Sequence, residues 1–364
     1  MENYTKGPLL GKGTFGEVLQ GTHKETGELV AIKKIRVGEK GEGVNVTALR
    51  EVKLLRELHH PNIVRLLDVW PSRRGIALVF EYMETDLERV IRDRAVLLTG
   101  ADVKAYLRMV LAGLAHCHAR WVVHRDVKPD NFLLASSGAL KLADFGLARP
   151  YGSPDRPFTH QVFARWYRAP ELLYGSTCYG PGVDVWAAGC IFAELLLRRP
   201  WFSAESDVGV LNKIFTALGT PRDANWGGLR AMPAFVEFQP TPPAPLRSLF
   251  PNVAVAPDDA LDLLSRMVCL APAQRISAAD ALRHRYFRVD PAPTPQERLP
   301  KPGRAGVRMA AAAASAKRPG GEREATPAAE AGGPAPAGMD SGDVRFLKKR
   351  RLQMDAALDD AADA

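Results

Sequence analysis

Residues 124–146 read HRDVKPDNFLLASSGALKLADFG, a run in which two carboxylates, Asp126 and Asp144, stand among Arg125, Lys128 and Asn131. Val122-Val123 opens an extended run, and Pro129 bars a helix through the loop. Leu133-Leu134 and Leu140-Lys141-Leu142 flank a Ser136-Ser137-Gly138 turn, which predicts a short hairpin with Asp126 and Asp144 near each other at one rim. Two carboxylates so placed repel unless cations share the site. Lys128 and a divalent metal would supply that charge. Asn131 adds an uncharged oxygen of the kind Mg²⁺ accepts.

The order H-R-D-x-K-P-x-N followed by D-F-G resembles the catalytic and metal-binding loops of eukaryotic protein kinases, and as a pair it is highly specific. Further motifs strengthen the resemblance. Leu9 to Val18 is a glycine-rich turn between apolar runs, carrying Gly11, Gly13 and Gly16. Alone this is a weak signal, more often an ordinary hairpin. Val30-Ala31-Ile32-Lys33 follows it, matching the strand whose lysine holds the α and β phosphates of ATP. From Val46 to Leu58, apolar residues recur at helical spacing, with Ala48, Val52, Leu55 and Leu58 on one stripe. Glu51 sits along that stripe, so it is expected to pair with Lys33 rather than to face water.

Apolar strands are expected at Ile63–Leu67 and Ile76–Phe80, then a polar link, Glu81 to Asp86, suited to a hinge between lobes. The resemblance implies that Phe80 backs an adenine pocket and that the backbone of Glu81 and Met83 forms its hydrogen-bonding edge. The same side chains also suit plain core and linker. Leu10, Val18, Ala31 and Leu133 complete the ATP site that the resemblance implies. An amphipathic helix over Asp102–Arg120 leads into the catalytic loop, and another apolar helix starts at Val183. Past Gly146 the chain is rich in Gly, Pro and Arg up to Ala169-Pro170-Glu171, which reads as a mobile loop containing Thr159. The kinase pattern brings Arg50, Arg125 and Arg149 together, and a phosphate on Thr159 would give them an anion and order the loop. Ser153, before Pro154, is a second phosphorylation candidate. Arg275 is the expected partner of Glu171 in this fold.

Composition bounds the reading without deciding it. At 364 residues and 46% hydrophobic content the chain can bury a large core. Its formal charge of +8 suits acidic or phosphorylated ligands and does not argue for direct nucleic-acid binding. Cys117, Cys178, Cys190 and Cys269 form no C-x-x-C pair, which suggests neither zinc nor a disulfide framework. With no apolar leader and no long apolar run, a soluble, non-secreted protein without a membrane partner is expected. Ala, Pro and Gly dominate the tail, which predicts disorder from residue 288 to 364. Lys348-Lys349-Arg350-Arg351 near its end suits either a solvated cluster or a nuclear import signal, so the expected location is nuclear, with the cytoplasm as the second location.

Over residues 5–287 these motifs resemble the protein kinase fold and, more narrowly, the cyclin-dependent kinases. The implied fold is α+β and two-lobed, with a small, mainly β lobe over 5–82 and a larger, mainly α lobe over 83–287. Asn45-Val46-Thr47-Ala48-Leu49-Arg50-Glu51 is similar to the cyclin-binding helix of the CDK-activating group in its plant and green-algal type-D branch. That resemblance implies an H-type cyclin, an assembly factor of the MAT type and the transcription factor TFIIH as partners. It implies activation loops of other CDKs and the RNA polymerase II C-terminal repeat as substrates. The implied roles are Asp126 as catalytic base, Lys128 offsetting charge on the moving phosphoryl, Asn131 and Asp144 holding Mg²⁺, and Lys33 with Glu51 gripping ATP. Three departures stand out. Phe15 replaces an inhibitory tyrosine, leaving Thr14. Ala164 replaces a threonine that bridges the catalytic aspartate and lysine, at an expected loss of about 0.5–1.5 kcal/mol. Lys12 and Leu19-Gln20-Gly21 differ from the usual loop. The rival readings are a cell-cycle CDK with general Ser/Thr-Pro substrates and, in a different class, an inert cyclin-binding scaffold. A MAP kinase is disfavoured, because Thr159-His160-Gln161 is not a Thr-x-Tyr pair.

Overall fold

The computed structural model describes residues 3–13, 16–36, 46–72, 75–152 and 164–302. Thr14, Phe15, Ser153, Thr159 and the basic run 348–351 lie outside the described residues, as does everything beyond 302. The first lobe is a five-stranded antiparallel sheet ordered β1-β2-β3-β5-β4, built from Tyr4–Gly13 (β1), Gly16–His23 (β2), Leu29–Arg36 (β3), Leu66–Ser72 (β4) and Gly75–Glu81 (β5). Side chains alternate across it with period two. Val30, Ile32, Ala77 and Val79 pack with Trp70 on one face, while Ala31, Ile35, Leu78 and Phe80 join the main core on the other. Lys33 lies between Ala31 and Ile35 in this register and therefore faces the main core too. Among the described residues one helix, α1 (Val46–Glu57), crosses that face.

The expected strand at Ile63–Leu67 needs correction: β4 begins at Leu66. Residues 62–64 pair elsewhere, with Val64 N donating to Leu142 O and Leu142 N to Asn62 O, each at 2.9 Å. Their polar groups are thus taken by the hairpin of the second lobe, which leaves them unable to join the sheet.

That hairpin forms where expected, from Phe132–Leu134 (β8) and Leu140–Leu142 (β9), with a third strand, Thr85–Asp86 (β6), on its outer edge. Leu87–Arg92 (α2) and Gly100–His118 (α3) lie between β6 and Val122–Val123 (β7), and Arg149–Pro150 (β10) pairs with β7. Thr99 and Asp102 cap α3 reciprocally, which explains why the helix starts two residues before the expected Asp102. After Pro170–Leu173 (α4) comes Gly182–Leu197 (α5), whose residues 183–195 are all buried. Such a helix, buried all round and apolar apart from Asp184 and Glu194, is the centre of a core and not its rim. Asp207–Leu218 (α6) and shorter helices over Leu246–Leu249, Asp258–Met267 and Ala278–Leu282 surround it. Arg275 forks onto Glu171 at 2.7 and 3.0 Å, both groups buried, as expected. Among the described residues no helix is long and apolar enough to cross a membrane.

The expected boundary at residue 288 is contradicted. The chain stays structured to Pro302, with a helical turn at Gln296–Arg298 and Leu299 buried. Composition misleads here because the segment gains order from α3: the buried Lys104 Nζ donates to Val289 O and Pro291 O at 2.8 and 2.7 Å.

Candidate active site

The catalytic loop is held by a residue that the sequence reading passed over. Asp184, fully buried in the first turn of α5, accepts from His124 N at 2.8 Å and Arg125 N at 2.9 Å, and lies 3.0 Å from His118 Nε2. It satisfies backbone donors that burial would otherwise leave unpaired. Arg125 and Asp144 both take the left-handed conformation, with φ of 67° and 59°. Such values are uncommon away from glycine and persist where the surroundings over-determine them. A carboxylate opening an otherwise apolar helix was the signal available in the sequence.

Asn131 Nδ2 donates to Asp126 O at 2.7 Å and to Asp126 Oδ2 at 2.9 Å, which fixes the carboxylate by its own loop. Lys128 Nζ lies 3.3 Å from Asp126 and 3.6 Å from Asp130. Burial disfavours the ammonium charge, yet Asp126 and Asp130 outweigh it and hold the Lys128 pKa above its ordinary value. Burial, together with Glu88 and Asp126, pushes Asp130 up to about 7 against the pull of Lys128.

From the sheet, Lys33 Nζ donates to Glu51 at 2.8 and 3.1 Å and to Asp144 Oδ1 at 3.2 Å. Glu51 is only 3% exposed, so the helical stripe of α1 does turn it inward. Burial opposes the Lys33 charge, but Asp144 and Glu51 overcome it and keep the amine protonated. Burial would raise the Asp144 pKa, and Lys33 reverses this to hold it below the usual carboxylate range. Three charges from β3, α1 and the end of the hairpin thus meet at one point.

The apolar residues expected around a nucleotide lie in one core cluster: Leu10, Val18, Ala31, Phe80, Met83 and Leu133. Gly11 pairs with Val18 and Gly13 with Gly16 across the glycine-rich turn. Gly16, at φ 148°, tolerates no side chain, since a Cβ would stand 1.7 Å from Lys34 O. Glu81 carries more than a backbone edge. Its carboxylate accepts from Lys141 Nζ at 2.8 and 2.7 Å and from Arg65 N at 2.7 Å, tying the hinge to β9.

Of the arginine trio, Arg125 donates through Nε to Leu147 O at 2.8 Å and through Nη1 to Tyr179 Oη at 3.1 Å. Burial lowers the Arg149 pKa, and the neighbouring charges of Arg125 and Arg50 lower it further. Arg149 therefore feels the charges of both other members of the trio. Thr159, expected to meet them, is among the residues not described.

Asn131 Oδ1 is buried with no hydrogen-bond partner, although the same side chain's nitrogen is fully used. An orphaned carbonyl oxygen within the loop beside Asp144 fits a hard cation. Among the described residues no three His, Cys, Asp or Glu side chains group to hold a metal unaided.

Comparison with known proteins agrees with this geometry. Residues 4–287 match the protein kinase domain. The chain therefore belongs to the protein kinase family, as a serine/threonine kinase of the cyclin-dependent branch. It is 57% identical to cyclin-dependent kinase D-1 of Arabidopsis thaliana, over 83% of this chain and 75% of that one. It is 50% identical to cyclin-dependent kinase 7 of Xenopus laevis, over 83% and 86%. A solved CAK complex from Chaetomium thermophilum, bound to ATP-gamma-S, superposes with a TM-score of 0.78 at 41% identity, covering 83% of this chain and 96% of that one.

Proposed function

We propose that the protein is a CDK-activating kinase that transfers the γ-phosphoryl group of ATP to activation-loop threonines of other CDKs and to the C-terminal repeat of RNA polymerase II. One observation carries the chemistry: Lys33 bridges Glu51 and Asp144 while Lys128 bridges Asp126 and Asp130, so a phosphate-gripping cation and a transfer-site cation are both set. Similarity to the D-1 and 7 kinases, and to the CAK complex, supports the substrate class.

Asp126 accepts or orients the substrate hydroxyl proton, and its carboxylate is aimed by the Asn131 amide. Lys128 offsets negative charge on the transferred group, as its protonated state requires. Lys33, oriented by Glu51, grips the phosphates. Asn131 Oδ1 and Asp144 would hold Mg²⁺, which when bound neutralises phosphate charge. Lys128 at this position favours Ser/Thr over Tyr acceptors by family resemblance. Arg50, Arg125 and Arg149 receive phosphothreonine 159, which orders the loop between Gly146 and Ala169. An H-type cyclin docks on the α1 side, with a MAT-type factor and TFIIH as further partners and the nucleus as the site of action.

Asp126→Asn is expected to lower turnover by about 10²–10⁴-fold with cyclin binding intact, checked by initial-rate assays and pull-down. For the substrate class, the purified chain with H-type cyclin is offered a catalytically dead CDK and a polymerase repeat peptide side by side. Phosphate on the CDK activation-loop threonine supports the activating role. Labelling of the repeat alone would restrict the protein to transcription, and labelling of neither would favour the scaffold reading.

A further inference from the structure

Residues 288–302 run as a strap across one face of α3 and end on the turn of the catalytic hairpin. Tyr106 Oη donates to Pro300 O at 2.7 Å, beyond the two carbonyls already held by Lys104. At the far end Lys301 Nζ donates to Ser136 O. Gly138, at φ 84°, is pressed so closely that a Cβ there would stand 1.8 Å from Gln296 O. The strap therefore braces the β8–β9 turn, and the strands of that hairpin lead to Asp144.

Midway, one residue pins the strap to the start of α3. Thr294 N donates to Ala101 O at 3.2 Å and its hydroxyl donates to Asp102 Oδ1 at 2.7 Å. The other oxygen of Asp102 caps the helix, accepting from Thr99 N at 2.9 Å and Thr99 Oγ1 at 2.6 Å. Both carboxylate oxygens are thus committed. Thr294 is followed by Pro295, the dipeptide that proline-directed kinases accept. Other Thr-Pro pairs occur, at Thr220 and Thr241, but their hydroxyls donate to the backbone carbonyl of Gln239 and not to a carboxylate.

We propose that Thr294 is a phosphorylation site and that its modification by a proline-directed protein kinase releases the strap from α3 and from the hairpin turn. The reaction forms a bond between Thr294 Oγ1 and the γ-phosphorus of ATP. It breaks the bond from that phosphorus to the β–γ bridging oxygen, which leaves on ADP with the electron pair. The hydroxyl proton passes to the modifying kinase's base. The product has lost its donor and carries about −1.5 to −2 charges where a carboxylate stands 2.7 Å away. The cap at Thr99 holds Asp102 in place, so the strap and not the helix must yield. Transient peeling of the strap exposes Thr294 to the modifying enzyme, and the phosphate then prevents re-docking. The inference is independent of which substrates the kinase itself acts on.

The test uses the full chain, incubated with ATP and a purified MAP-type kinase, followed by peptide mapping and hydrogen exchange. Thr326-Pro327 in the tail serves as an internal control for labelling. Phosphate on Thr294, absent from Thr294→Ala, is expected, together with amide exchange at 136–140 and 293–300 at least about tenfold faster than in the unmodified chain. Labelling of Thr326 without Thr294 would overturn the proposal. So would a phosphorylated Thr294 with unchanged exchange in both segments.

Discussion

The two halves of the active site are held in different ways. In the second lobe, Asp126 and Lys128 sit on a loop whose backbone is tied to Asp184 in the buried helix α5. In the first lobe, Lys33 is positioned by Glu51, which arrives on α1. The catalytic loop is therefore part of the core, while the phosphate grip depends on where α1 lies. A partner that moved α1, as proposed for the cyclin, would thus act on the grip and leave the hold of Asp184 on the loop in place.

If the loop half is truly built into the core, removing Asp184 should unfold it. Asp184→Ala orphans two buried amides and is expected to cost about 3–5 kcal/mol, seen as a large drop in melting temperature along with activity.

Glu194, also on α5, shows that the same core carries a cost. Tyr167 Oη donates to it at 2.7 Å, yet burial raises its pKa to about 7. An acid whose folded pKa is raised binds more protons folded than unfolded, so stability falls as pH rises from about 4.5 to about 7. Glu194→Gln keeps an acceptor for Tyr167 and removes the charge. It is expected to gain about 3 kcal/mol at pH 8, with the difference from wild type closing as pH falls through that window. Melting curves at pH 8, 6 and 4.5 check the sign; a gain largest at acid pH would reject it.

The smallest stability change belongs to the other half. In Glu51→Gln, Lys33 retains Asp144 as partner, so melting should shift little. The rate of phosphate transfer is nevertheless expected to fall by about 10–100-fold, or 1.4–2.7 kcal/mol in barrier. A melting loss as large as that of Asp184→Ala would erase the contrast between the halves.

Most of this site could be read from the sequence, because its chemistry is local. Asp126, Lys128 and Asn131 lie within six residues, and the hairpin that leads to Asp144 is fixed by its own turn. Lys33 was legible through its resemblance to the V-A-I-K strand, and Glu51 through the helical stripe it lies along. What escaped reading depends on distant partners. Asp184 reaches a loop 59 and 60 residues away; its place at the start of an apolar helix signals a buried carboxylate but not which loop it holds. Residues 63–64 read as strand, yet they pair with Leu142 in the other lobe. The strap has a composition that reads as disorder, because its order comes from docking on distant groups, the buried Lys104, Tyr106 and Asp102 of α3, which its local composition does not show.

The most direct test of the contrast is amide hydrogen exchange of the full chain with and without H-type cyclin. Slower exchange is expected in α1, by about tenfold or more, with residues 122–126 unchanged because Asp184 already holds them. Equal slowing in the catalytic loop would mean that it, too, is assembled by the partner, and would contradict the account.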